Sequence, residues 1–411
     1  MAPGQDLVDR RRTLLTRVLT GYLAVVTVAP IATTPYRSDD LINRRTPEAF
    51  AASGQSLVEF IVAWVGPWVR DQGRLFPGSA LWTFAVFTAF QDRVSYKVFL
   101  AGLVLLMVAL VAATAATLTR PALLPVAVAG CVATLHLRDY FDGLDTFSGV
   151  MPFTICGTLV ALLLLLRRRG WASAVVAAVV WTDVLLTYEV AIVLTPTLGV
   201  LVWWVTRRWV RALPLLVPMA AVSAVVLVLR SRVTTYVGEA YRINLEPDLV
   251  LTTYVKQAAG ALPWSTQWYP GTTATMAFDP ALLVLAALVV AAPVAVLLTV
   301  VASRPLDLPR GATAQLAMLG ASMWLLPPVL VAVSLGWQTD LPPGQAYVSV
   351  VWGYVGVALL ATAGWAALAD GARRGWQRLA LPIATAVMAV AAAGSVVQSV
   401  SVAALLAANP H

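Results

Sequence analysis

Histidine, cysteine, lysine and charge are all scarce in this chain, and each shortage excludes a class of function. His136 and His411 are the only histidines, too few for a histidine metal cluster or a Ser-His-Asp triad. His136 reads better as an interfacial residue than as a ligand. The two cysteines, Cys131 and Cys156, both fall in apolar runs, which argues against a disulfide framework or a thiolate zinc site. No phosphate-binding glycine loop, dinucleotide fingerprint, long repeat or low-complexity linker is present. Lysine occurs only at Lys97 and Lys256, an arginine-heavy usage that hints at a high-GC bacterium.

Only 12% of the 411 residues are charged while 60% are apolar, and the mean hydropathy is +0.81. That exceeds what a water-soluble core requires and implies repeated bilayer crossings. About 20 apolar residues span the hydrocarbon layer as a helix, which satisfies its own backbone groups where water cannot. Strand-period alternation is absent, so a barrel is not expected. The net charge of +8 points away from nucleic acid, because the arginines lie in short clusters between apolar runs, the positive-inside pattern.

Taking those clusters as cytoplasmic, the expected topology is an all-α integral membrane protein of about eleven helices (10–13), one membrane domain over 1–411. The first crossing runs from about 14 to 34 after Arg10-Arg11-Arg12. Arg17 interrupts the apolar run and no small-x-small cleavage site precedes Tyr36, so a retained first helix is expected rather than a signal peptide. Further crossings fall at 96–118, 121–137, 149–166, 171–188, 190–206, 212–229, 281–302, 314–335, 347–369 and 379–405. The amino terminus is then cytoplasmic and the carboxyl terminus outside, in a bacterial plasma membrane. Residues 35–95 form a first extracytoplasmic loop and 230–280 a long later one. Within the first loop, Ser79 to Gln91 is apolar but only about 13 residues, too short to span; it reads as interfacial or re-entrant. Leu57 to Val69, with Trp64 and Trp68, reads as lying at the headgroup level.

This topology sorts the polar residues to one side. Adjacent carboxylates Asp39 and Asp40 follow the first helix and repel each other, which calls for a reason. The same side collects Arg74 in Gly73-Arg74-Leu75-Phe76-Pro77, then Asp139, Tyr140, Asp142 and Asp145 in the second loop, and Tyr188-Glu189 at a helix end. The spacing of Asp139, Asp142 and Asp145 predicts one side of a short helix. The later loop adds Arg230, Arg232, Arg242 and Lys256, with Tyr236, Tyr241, Trp264, Trp268 and Tyr269.

On these features the chain resembles the GT-C superfamily, polytopic glycosyltransferases that take sugars from polyprenyl-phosphate carriers on the non-cytoplasmic face. The features that carry the likeness are Ser38-Asp39-Asp40 after the first helix, Gly73-Arg74-Leu75-Phe76-Pro77, the acidic second loop and Tyr188-Glu189. They cover most of the first 210 residues; the rest matches in topology alone. The nearest likeness is to small bacterial members such as O-antigen glucosyltransferase-like proteins. The resemblance implies an inverting transferase whose partners are a lipid-linked sugar donor, a glycan or lipid acceptor, and membrane lipids, with no nucleic acid. It also implies that a first-loop acid is the base.

The chemistry agrees. Deprotonating an acceptor hydroxyl suits a carboxylate whose pKa is raised by a second one, which makes Asp40 the expected base, with Asp39 orienting it or sharing a divalent cation (Mg or Mn). The leaving phosphate calls for arginine: Arg74 first, then Arg230, Arg232, Arg242 and Lys256. The second-loop carboxylates could bind acceptor hydroxyls or a divalent ion. Each reading has a rival. Asp39-Asp40 could cap a turn, Gly73-Arg74 could hold lipid phosphate at a turn, and the second loop could be plainly exposed. Glu189, like Asp183 before it, is costly in an apolar hairpin yet could serve only to neutralise an arginine. The function classes left open beside an enzyme are a transporter or flippase, which should carry internal repeats and broken helices at mid-depth, and a scaffold for envelope assembly.

Overall fold

A computed structural model describes residues 3–140, 142–233, 242–265, 280–342, 345–371 and 375–408, and every regular element among them is helical. The chain is a polytopic helical membrane protein. Nine described helices are long and apolar enough to cross a bilayer: Asp9–Thr33, Arg93–Leu118, Phe147–Arg167, Glu189–Thr206, Trp209–Arg232, Pro280–Ala302, Ala312–Ala332, Val350–Asp370 and Gln377–Ala408. Two further crossings expected from the sequence, 121–137 and 171–188, are occupied by shorter apolar helices, Pro121–Thr134 and Trp171–Thr187.

The elements that matter below are α1 (Pro3–Val28), α2 (Asp40–Asn43), α3 (Thr46–Ser53), α4 (Leu57–Gln72), α5 (Pro77–Ala89), α6 (Arg93–Leu118), α7 (Leu124–Thr134), α8 (Val150–Arg167) and α9 (Trp171–Thr187). They are followed by α10 (Thr195–Thr206), α11 (Leu213–Arg232), α12 (Pro247–Ala259), α13 (Pro280–Ala286), α14 (Ala292–Ala302), α15 (Ala312–Leu325), α16 (Pro327–Ala332), α17 (Leu335–Asp340), α18 (Val350–Gly371) and α19 (Gln377–Ala408).

Small residues let the central helices approach. A Cβ on Gly320 would lie 2.7 Å from the Gly356 carbonyl oxygen, so α15 and α18 touch backbone to backbone, and a Cβ on Gly130 of α7 would lie 2.7 Å from the Ala358 oxygen. In a bilayer, where apolar packing against lipid is as favourable as against protein, such close contact is what holds helices together. Around this centre Trp352, Tyr354 and Trp365 of α18 are fully buried.

The first loop folds into a run of short helices. Ser56 starts α4 with a capping box: the Glu59 backbone N–H donates to Ser56 Oγ, and the Ser56 N–H donates to Glu59 Oε2 at 2.9 Å, which satisfies otherwise orphaned helix-start donors. Gly73 ends it in the left-handed conformation, φ 61°. α3 and α4 meet at a 116° bend. The 13-residue α5 packs on α4 through Ile61, Val65 and Ala80 and on the end of α9.

The helices set two chemically distinct ends. α1 rises from Arg10-Arg11-Arg12 toward Asp39 and Asp40, while α6 descends from Tyr96, beside Asp40, to Arg120. At the arginine end Arg167 donates to Thr117 and Ala113, Arg211 donates to the Arg168 carbonyl, and Arg304 pairs with Asp9.

Candidate functional site

The two adjacent aspartates have opposite surroundings. Ser38 enters α2 through a positive φ of 50°, and consecutive residues on the helical turn that follows diverge by about 100°. Asp39 therefore opens onto a cavity of about 420 Å³, whereas Asp40 turns inward and has no exposed surface. Asp40 accepts hydrogen bonds from the Tyr96 hydroxyl at 2.6 Å and from the Ser148 backbone N–H at 2.9 Å. Burial pushes its pKa up to about 7, against the opposing pull of Lys97 and of these two donors. Surrounding protein also raises Asp39, although its carboxylate stays open to the cavity.

Phe147, Ser148 and Gly149 make a left-handed turn, with φ of 56°, 55° and 70°. Two non-glycine residues in that region are costly. What the turn achieves is visible: the Ser148 N–H reaches Asp40, the Ser148 carbonyl accepts from Trp82 Nε1 at 2.8 Å, and Phe147 lines the cavity.

Beneath Asp40 lies a layer of buried charge. Lys97 Nζ donates to the Asp145 carbonyl at 2.5 Å and stands 3.8 Å from Asp145 Oδ2, while Arg37 Nε is 3.9 Å from Asp145 Oδ1. Lys97 and Asp145 have no exposed surface. Unpaired charges at that depth would each cost several kcal/mol, so the groups stand or fall together.

The second cluster forms around Arg74, which is buried against Glu189 at 2.9 Å, with Arg230 3.6 Å from the same carboxylate oxygen. Two glycines bring the three segments together. A Cβ on Gly73 would lie 2.8 Å from Arg230 Cα, and one on Gly78 would collide with Thr187, just ahead of Tyr188-Glu189. Two guanidinium groups thus face one carboxylate. Around it meet two cavities that share Arg74, Tyr188, Trp337 and Tyr347. The first is lined by Asp39, Asn43, Trp64, Trp68, Phe76 and Phe147 among others. The second, of about 370 Å³, is mostly apolar beyond Glu189 and Arg230, with Val190, Ile192, Val193, Val226, Leu227, Leu330 and Val331 beside Ser223 and Ser334.

The structure thus joins Asp39, Arg74, Tyr188, Glu189 and Arg230 around one composite space, and leaves Asp40, Asp139, Tyr140, Asp142, Asp145, Arg242 and Lys256 outside it. Asp139 accepts from Gln345 Nε2 at 3.0 Å, and Tyr140 beside it is half-buried. Arg242 is exposed, its backbone carbonyl accepting from the Leu335 N–H at 2.9 Å, and Lys256 Nζ donates to the Leu341 carbonyl at 2.9 Å. The described residues of 139–145 form bends and turns instead of the expected short helix. The reason is local: Asp142 caps its own loop, accepting from the Arg138 and Leu144 backbone N–H groups at 2.6 Å each, and side chains that bond the backbone this way compete with a helix. Burial, followed by the nearby Asp145 carboxylate, holds Asp142 well above the usual carboxylate range. Tyr236, Tyr241, Trp268 and Tyr269 lie outside the described residues; Trp264 packs on α19 at Gly394.

Sequence reasoning passed over Lys97, Tyr96 and Arg37. Lys97, one of two lysines and inside an apolar run, carried a signal, because an ionisable residue there is expensive; Tyr96 and Arg37 carried none. The donors for a divalent cation do not assemble. Both Asp40 oxygens are occupied, Asp39 stands alone on the cavity, and no group of three or more His, Cys, Asp or Glu that could hold a metal occurs among the described residues. No protein-family pattern, curated protein or solved structure matches the chain.

Proposed function

We propose that the chain is an inverting membrane glycosyltransferase of the GT-C kind. It moves a monosaccharide from a polyprenyl-phosphate carrier to a cell-envelope glycan or lipid acceptor on the extracytoplasmic face. The observation that carries this reading is the junction at Arg74, where an apolar crevice and an aromatic cavity holding one open carboxylate meet beside two guanidinium groups. A prenyl chain fits the crevice, a phosphodiester suits Arg74 and Arg230, and a sugar ring suits Trp68, Trp337 and Tyr347.

In this arrangement Asp39 is the base and Asp40 positions it, an exchange of the roles the sequence suggested. The acceptor hydroxyl oxygen forms a bond to the anomeric carbon from the face opposite the phosphate. The bond from that carbon to the phosphate oxygen breaks, and its electron pair leaves with the polyprenyl phosphate. The hydroxyl proton goes to Asp39, whose raised pKa favours accepting it. Arg74 and Arg230 meet the charge that accumulates on the departing phosphate.

Polyprenyl phosphate, the product common to every sugar of this donor class, gives a test that needs no knowledge of the sugar. Titrated into protein in nanodiscs, it should quench tryptophan fluorescence through Trp337, and Arg74→Gln with Arg230→Gln should abolish the saturable phase. Wild-type protein should then release it from a polyprenyl-phosphate hexose in an Asp39-dependent way when envelope glycolipid is supplied. Equal binding of polyprenol and its phosphate would refute the proposal, and binding without Asp39-dependent release would favour a flippase.

A further inference from the structure

At the far end of the bundle from Asp39, one face of α1 stands across a crevice from the start of α7 and the end of α14. It holds about 620 Å³, more than either cavity at the carboxylate end, and nothing in the transfer chemistry uses it. Its walls are apolar, with Leu124, Pro125, Val300, Val301 and Leu306. Thr13, Thr16 and Thr20 add little polarity, because each hydroxyl donates to the carbonyl four residues earlier, at 2.9, 2.9 and 2.7 Å.

The rim is cationic. Arg12, Arg17 and Arg304 border the crevice. Asp9 answers Arg304 at 2.5 Å, and among the described residues no carboxylate pairs with Arg12 or Arg17. A deep apolar slot under uncompensated guanidinium groups suits a molecule with a phosphate at one end and hydrocarbon behind it. A small anion would use the rim and leave the slot empty, and a zwitterionic headgroup would set an ammonium against the arginines.

We propose that this crevice binds an anionic phospholipid of the leaflet at the arginine end, its phosphate on Arg12 and Arg17 and an acyl chain running between α1 and α14 along Val300. Guanidinium forks onto phosphate oxygens set the headgroup preference, because the chain itself gains nothing over the surrounding bilayer. The lipid would add to the packing of α1 on α14, which the Tyr22 hydroxyl on the Val289 carbonyl supplements ahead of α14 and the Arg304–Asp9 pair beyond it.

The test is independent of the glycosyltransferase reading. Detergent-purified full-length protein is given equimolar phosphatidylglycerol and phosphatidylcholine, and retained lipid is counted by native mass spectrometry. Wild type should keep one phosphatidylglycerol with about tenfold preference, equivalent to about 1.4 kcal/mol, undisturbed by inorganic phosphate. Arg12→Gln with Arg17→Gln should lose the preference. Thr16→Phe, which fills the slot while leaving every charge in place, should lose it too. Equal retention of the two lipids by wild type overturns the proposal, as does displacement of the lipid by inorganic phosphate. Loss in the arginine variant with retention in Thr16→Phe also overturns it, since that marks plain surface attraction.

Discussion

Lys97 and Asp145 have no exposed surface and Arg74 lies buried on Glu189, whereas at the opposite end of the bundle Arg12 and Arg17 stand in the open and Arg304 meets a lone exposed aspartate. The exposed arginines keep their hydration and cost the fold little; their position relative to the bilayer is what they contribute. The buried groups give up hydration worth several kcal/mol each, recovered only through pairing and hydrogen bonds. A helical bundle needs no such expense to fold. Its concentration at one end, next to the two cavities that share Arg74, is what marks that end as the candidate functional site.

The broadest way to break this comparison is to ask whether the two ends face different compartments. Ser38→Cys and Ser303→Cys are both at exposed positions, and the native Cys131 and Cys156 are buried. In intact cells an impermeant maleimide should label Ser38→Cys and spare Ser303→Cys until lysis. The reverse pattern would overturn the proposed sidedness, and with it the donor.

The two aspartates offer a sharper contrast. Asp39→Asn should lower transfer by roughly 100- to 10,000-fold, the usual worth of a general base, with the fold intact. Asp40→Asn keeps an acceptor oxygen for the Ser148 N–H and can donate its amide N–H to the Tyr96 hydroxyl oxygen, and should cost far less. An equal or larger loss at Asp40 would return the base to the buried position. Next in size, Arg74→Gln should raise the donor KM by roughly 10- to 100-fold, the value of a charge-assisted hydrogen bond. Arg74→Lys should recover only part of it, since an ammonium lacks the fork. Unchanged KM in both variants would mean that the phosphate sits elsewhere.

The smallest effect concerns pH. An aspartate in the unfolded chain ionises near 3.8 and Asp40 near 7. Between these values the folded protein holds a proton that the unfolded chain has released, so stability falls as pH rises through that window and levels off above it. The apparent Tm of wild type should drop by a few degrees from pH 5 to pH 7, and Asp40→Asn should flatten the slope, leaving the part due to Asp142. A parallel slope in the two proteins would show that Asp40 is ionised throughout.

Much of this was legible in the residues. Arginine clusters between apolar runs marked the helix ends, and the short apolar stretch Ser79 to Gln91 corresponds to the 13-residue α5. The acidic pair, Arg74 and Tyr188-Glu189 were each visible as polar residues with no place in a bilayer. The even spacing of Asp139, Asp142 and Asp145 misled, because periodicity registers where side chains recur and not whether one of them bonds its own backbone. The difference between Asp39 and Asp40 was invisible, since two identical residues in succession differ only in which way a turn aims them.

By itself, then, the sequence determined that this is a helical membrane protein whose charges divide between two ends, because hydropathy and charge act through local composition. Tertiary structure alone decided which groups meet. Arg74, Glu189 and Arg230 are brought within a few ångströms by contacts at Gly73 and Gly78 between distant segments, and Asp39 faces a cavity whose far wall comes from Trp337 and Tyr347. Such contacts depend on how helices pack in three dimensions, and no local pattern encodes that.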